Sequence, residues 1–119
     1  MNIPPSGPWS GYYLYTHSEQ RHHMRLHLTF TVEGSLSGNG TDDVGPFLIK
    51  GVFIQPKQEA SWTKSYIGRH SVEYRGLYDG RSICGDWTLV MSRGGFWIWP
   101  SGLSEGIAET VNEELSVPA

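Results

Sequence analysis

From His23 to Val32 the chain alternates without a break. Met24, Leu26, Leu28, Phe30 and Val32 fall on one side, and Arg25, His27, Thr29 and Thr31 on the other. Period two over this length describes a sheet strand with one dry and one wet face; a helix would scatter the same apolar residues around its circumference. Seven further segments read as strands: Trp9–Tyr15, Ser35–Thr41, Phe47–Gln55, Glu59–Tyr66, His70–Leu77, Arg81–Met91 and Phe96–Trp99. Between them lie short breaks such as Glu33-Gly34, the run from Asp42 to Pro46, Pro56–Gln58, Tyr78-Asp79-Gly80 and Ser92–Gly95. Fifteen Gly and seven Pro in 119 residues suit many tight turns and few helices. Loops this short leave no room for crossover helices, so the expected fold is all-β. An eight-stranded antiparallel up-and-down barrel closes such a meander and leaves no exposed edge. A β-sandwich is the alternative, and its Greek-key topology needs at least one longer connection.

The length fits one domain with one core. Residues 1–8 read as an irregular Pro-rich leader, 9–100 as the barrel and 101–119 as a tail. In that tail Ile107, Val111 and Leu115 stand four apart behind Ser104, among four Glu and no Lys or Arg. A short helix and a disordered acidic segment are both compatible with it, and as a helix it would plug one barrel mouth. A net charge of −3 offers no general attraction to nucleic acid or an anionic membrane, and no apolar run reaches transmembrane length. One cysteine excludes an internal disulfide and points to a cytoplasmic location.

Parity decides what the barrel encloses. If Trp62 points inward with Met24, Leu28, Phe47, Ile49 and Trp87, then Lys64 and Tyr66 point inward too. A lysine among aromatic rings is costly unless paired or wet. It could bind an acidic ligand, or form a Schiff base if burial lowered its pKa. Equally, it could sit at the barrel end paired with Asp42, Asp43 or Glu59. The histidines predict no metal site: His23 and His27 lie roughly 13 Å apart along one strand. No cofactor is expected. His70 and Ser71 are strand neighbours on opposite faces, so they form no activated pair. Glu73, Arg75, Cys84 and Asp86 are expected outside. The outward side also carries Leu48, Val52, Ile54, Val90, Trp97 and Trp99, which predicts a homo-oligomer, dimer or tetramer, unless the tail covers part of that patch.

Several motifs in order resemble the avidin branch of the lipocalin-like (calycin) barrels. They are Trp9 with Gly11, the run Gly34-Ser35-Leu36-Ser37-Gly38, Ile49-Lys50-Gly51-Val52-Phe53, Trp62 to Tyr66 followed by His70-Ser71, then Tyr74, Gly76, Tyr78 and Gly80, and Trp87-Thr88-Leu89. The resemblance implies a small molecule such as biotin held inside the barrel. It implies an aromatic box of Trp62 and Trp87, with Tyr74 near a third wall and Ser71 as a hydroxyl anchor. The sequence departs from the pattern at Gly11 and Gly40, where the family has polar ligand contacts, and it has no Asp in strand eight. The expected function is non-catalytic binding of a small, partly apolar molecule by Trp62, Trp87, Tyr74 and Tyr13, with Lys64, Tyr66 and Ser71 as polar anchors. Two alternatives are an isomerase- or cyclase-type enzyme using Lys64 with Tyr66 or His70, and an assembly module whose barrel is simply filled.

Overall fold

A computed structural model describes residues 2–101 of the chain. The strands are β1 (Gly7–Tyr15), β2 (His22–Phe30), β3 (Ser35–Asp42), β4 (Pro46–Ile54), β5 (Glu59–Tyr66), β6 (Ser71–Tyr78), β7 (Ile83–Leu89) and β8 (Ser92–Pro100). Each pairs antiparallel with the next, and β8 returns to pair with β1 over Trp9↔Pro100 to Tyr15↔Gly94. The sheet is therefore a closed eight-stranded barrel, with one 3₁₀ turn (Gln55–Lys57) between β4 and β5. Among the described residues no helix is long and apolar enough to cross a membrane. The expected tail lies outside the described residues.

Strand boundaries differ from the sequence reading where a turn is made by unexpected residues. Val32 is 80% exposed, because the chain leaves β2 after Phe30 and turns through Thr31–Gly34. Val90, assigned to strand seven, instead forms a two-residue turn with Met91, and its φ of 42° is left-handed. A β-branched residue rarely adopts that conformation, so nothing local in the sequence announces the turn. Ser92–Gly95, read as a turn, is the first part of β8. The leader is irregular through Ser6 but packed. The Trp9 indole N–H donates to the Pro5 carbonyl at 2.9 Å, and Ser6 Oγ accepts from the Phe30 N–H at 2.8 Å. Pro4 is buried and Ile3 packs on the core, so the leader closes the end of the barrel at which β1 begins.

The interior is filled by rings. Trp9, Tyr13, Phe30, Phe47, Phe53, Trp62, Tyr66, Tyr74, Tyr78, Trp87 and Phe96 are all buried. A cylinder of eight strands has room for side chains only if large residues face small ones. Glycines on neighbouring strands supply that room: Gly40 pairs with Phe47, Gly51 with Trp62, and Gly94 with Trp87. A Cβ on Gly51 would lie 2.5 Å from the Trp62 Cα, and one on Gly94 would lie 2.9 Å from the Trp87 indole nitrogen. Both would also meet backbone oxygens that cannot yield. Gly51→Ala and Gly94→Ala are each expected to lower the unfolding free energy by about 1–3 kcal/mol through overpacking, read from urea denaturation. An alanine at Ser71, whose hydroxyl makes only an exposed hydrogen bond to Ser65, should leave the midpoint nearly unchanged.

Candidate functional site

The end of the barrel opposite the leader is bounded by the β1–β2, β3–β4, β5–β6 and β7–β8 loops. Just beneath that mouth lies a buried polar cluster centred on Lys64. Its position follows from β5 alternation, which buries Trp62, Lys64 and Tyr66 and turns Thr63 and Ser65 away. The Lys64 side chain is only 1% exposed. Its Nζ donates to Asp42 Oδ2 at 2.7 Å, to the Tyr74 hydroxyl at 2.8 Å and to Met24 Sδ at 3.6 Å. Three protons thus meet three acceptors. Four rings surround the ammonium, those of Tyr13, Phe47, Tyr66 and Tyr74, with centroids 4.6 to 4.9 Å away. This is the aromatic cage that commonly recognises a cationic ligand, here occupied by the protein's own lysine.

Asp42 is satisfied to the same degree. Oδ2 also accepts from the Tyr66 hydroxyl at 2.6 Å, while Oδ1 accepts the backbone N–H groups of Val44 and Gly45. Asp43 points to the neighbouring wall, accepting from the Tyr13 hydroxyl at 2.8 Å and pairing with His22 Nδ1 at 2.6 Å. The His22 and Tyr13 rings are stacked at 4.7 Å. Burial lowers the Lys64 pKa, opposed by the carboxylates of Asp42 and Asp43. Burial also raises the hydroxyls of Tyr13, Tyr66 and Tyr74 far above the ordinary tyrosine range, and the nearby carboxylates push the same way. For Asp43, burial acts upward, but hydrogen bonds from His22 and Tyr13 outweigh it and hold its pKa below the usual value.

Above the cluster is a hollow of about 30 Å³, lined by Tyr13, Tyr15, Val44, Lys64, Tyr66, His70, Val72, Tyr74, Trp87 and Leu89. That holds about one or two waters and falls well short of the roughly 300–1,000 Å³ of a ligand pocket. Six of the seven expected site residues are buried, Tyr13, Trp62, Lys64, Tyr66, Tyr74 and Trp87, and all of these but Trp62 line the hollow. Trp62 stacks on Tyr74 at 5.3 Å and 10°. The Trp87 indole donates to the Leu14 carbonyl, and the Tyr15 ring meets Trp87 edge-on. Ser71 does not join them. It is exposed on the outer face and hydrogen-bonds Ser65, because β6 buries Val72 and Tyr74 and alternation sends Ser71 the other way. His70 lies exposed at the rim with its ring 5.0 Å from that of Tyr66.

Three residues absent from the expected site, Asp42, Asp43 and His22, complete the cluster. Asp42 and Asp43 are two of the three carboxylates expected as lysine partners, and His22 lies on the face opposite His23. A parity signal exists for Asp42 and His22. Leu36, Gly38, Gly40 and Asp42 share one parity in β3, and His22 shares that of Met24 in β2. Among the described residues no group of three His, Cys, Asp or Glu is placed to hold a metal ion. A second concavity, about 640 Å³, lies on the outer face of β5–β7 beside Glu73, Arg75, Cys84 and Asp86. Compared with protein-family models, curated proteins and solved structures, the chain matches none.

Removing one member of a desolvated ion pair strands the other, which costs about 3–5 kcal/mol. Lys64→Met is expected to destabilise by that amount, while Lys64→Met combined with Asp42→Leu recovers at least half of it, measured by urea unfolding. The pH dependence has a definite sign. A tyrosine whose folded pKa is raised costs nothing below the unfolded value near 10, but above it the unfolded chain sheds protons that the barrel retains. Stability should therefore fall as pH climbs past about 10. In an absorbance titration at 295 nm, part of the tyrosinate signal should appear only together with unfolding.

Proposed function

We propose that this chain is a non-catalytic binding barrel that takes the end of a small, partly apolar ligand at its open mouth, over Tyr13, Tyr66, Tyr74 and Trp87. The observation carrying this reading is the Lys64–Asp42 pair, held without solvent directly beneath the hollow. A buried ion pair is seldom the most stable filling for such a site; apolar residues of equal volume often do as well or better. Its value here is as a rigid polar floor with tyrosine hydroxyls fixed around it. Apolar walls rise beyond the floor, with Val44 and Leu89 half-buried and Tyr15 exposed at the rim. With the interior packed by rings, this reading puts the ligand further out than the avidin resemblance implies. Biotin has no room among the rings, and Ser71 faces away.

Enzymatic use of Lys64 with Tyr66 or His70 is less well supported. A substrate needs contact with Nζ, which is sealed by three acceptors and four rings. The filled-barrel assembly reading has its own observation. Leu48, Val52 and Ile54 on β4, with Leu77 on β6, expose apolar surface on one side of the barrel, as an association face would.

One measurement separates these readings, namely native mass spectrometry of the freshly purified full chain. A small retained mass is expected, lost in Tyr15→Ala and not replaced by added biotin. Bare protein throughout, with dimers that disappear in Val52→Glu, would replace ligand binding with assembly.

A further inference from the structure

The outer face made by β8, β1 and β2 differs from the rest of the barrel in both charge and chemistry. These three strands contain no carboxylate, yet Arg93, His23, Arg25 and His27 lie on their outward side, and Arg21 immediately precedes β2. The outward side of β3 adds only Ser35, Ser37, Asn39 and Thr41, so four adjacent strands direct no carboxylate outward. Past β8 the first is Asp86 on β7, while Glu59 and Glu73 stand on β5 and β6, across the barrel from β1 and β2. Charges on that far side are screened beyond about 8 Å at physiological salt. The net charge of −3 therefore does not describe what a ligand meets here. On the same outward side Tyr12, Trp97 and Trp99 form a cluster, with ring centroids 6.0 Å (Tyr12–Trp97), 6.2 Å (Tyr12–Trp99) and 5.3 Å (Trp97–Trp99) apart. The Arg21 guanidinium lies 4.6 Å from the Tyr12 ring centre. The Trp99 indole nitrogen is buried without a hydrogen-bond partner among the described residues, an uncommon state that calls for an acceptor.

We propose that this face binds single-stranded nucleic acid, with bases against Trp97 and Trp99 and the sugar–phosphate backbone along β2. The register carries the argument. Trp97, Tyr12 and His23 form one row across β8, β1 and β2, and Trp99, Ser10 and Arg25 form the next. Each row has its tryptophan two strands, or roughly 10 Å, from its basic residue. Ser10 leaves a shallow channel between them. Along β2, His23, Arg25 and His27 repeat every second residue, roughly 6.8 Å apart. Arg25 is charged throughout, and each imidazole has a donor in either protonation state. An unpaired strand has the matching form, phosphates on one edge and flat π-faces on the other, and aromatic side chains beside basic ones are how such strands are held. Base edges and phosphates also bring the acceptors that the Trp99 N–H lacks. A duplex keeps its base faces stacked inside, and a sulfated polysaccharide offers charge without π-faces. A lipid layer would favour exposed aliphatic side chains, which stand instead on β4 and β6 as Leu48, Val52, Ile54 and Leu77. This site is separate from the mouth and does not depend on what binds there.

The test is fluorescence anisotropy of a labelled oligothymidylate of about a dozen nucleotides, titrated with the full chain at low salt. Saturable binding is expected. Trp97→Leu, which keeps apolar bulk without a π-face of the same extent, should weaken it roughly 5- to 150-fold, the loss of one stacked base. Arg25→Gln, at an exposed position, should reduce the slope of log affinity against log salt by about 0.7, the loss of one phosphate contact. Lys50→Ala, outward on β4, should leave both unchanged. Urea midpoints near that of the wild type establish that each variant is folded. No binding by the wild type would overturn the proposal, as would full affinity in both Trp97→Leu and Arg25→Gln. Equal affinity for heparin or for a duplex of the same length would make the face a general polyanion surface and overturn it too. So would co-sedimentation with phosphatidylserine vesicles in place of oligonucleotide binding.

Discussion

A closed cylinder of eight strands has a fixed and small interior, and the rest of this molecule follows from how that volume is filled. Eleven buried aromatic residues compete for it. They fit because glycines stand opposite the largest of them, at the cost of backbone freedom in the unfolded chain. Space gained this way is local. A methyl group at Gly40 or Gly94 would run into both a neighbouring ring and a carbonyl, and one at Gly51 into the Ser61 carbonyl and the Trp62 Cα and Cβ. Among the described residues this packing leaves about 30 Å³ of hollow beneath the mouth, far less than a ligand chamber.

Within that packing the Lys64 cluster is the exception, a charge where a hydrocarbon would do. Its geometry explains how the exception is tolerated. Nζ, both Asp42 oxygens and the Tyr66 and Tyr74 hydroxyls all have partners, and ring faces replace the lost water around the ammonium. The network joins β2, β3, β5 and β6 through side chains alone. The Asp43–Tyr13–His22 group beside it ties β1 and β2 to the same β3–β4 turn. The mouth is thereby stiffened by directional bonds, whereas the opposite end is closed by the Pro-rich leader.

The outer surface divides along the strands. The β4–β7 side exposes aliphatic residues and mixed charges, including the Arg75–Glu59 pair. The β8–β1–β2 side is aromatic and cationic.

Alternation in β2, β4 and β5 was enough to give strands, their buried faces and the inward placement of Lys64, because period two is a local property of the backbone. Short glycine-bearing breaks then left closure into a barrel as the economical outcome. Other features could not be read locally. Val90 turns the chain against its own preference, and Ser92–Gly95 joins β8 because Asp86–Leu89 of β7, with Leu14 and Tyr15 of β1, offer strands to pair with. Asp42 becomes the lysine's partner only once β3 extends one residue past Thr41 and the sheet curls, bringing together residues 22 positions apart. Whether the interior was a chamber or a core depended on ring orientations and glycine contacts summed around the whole circumference. No stretch of sequence carries that sum, because volume is a property of the closed sheet.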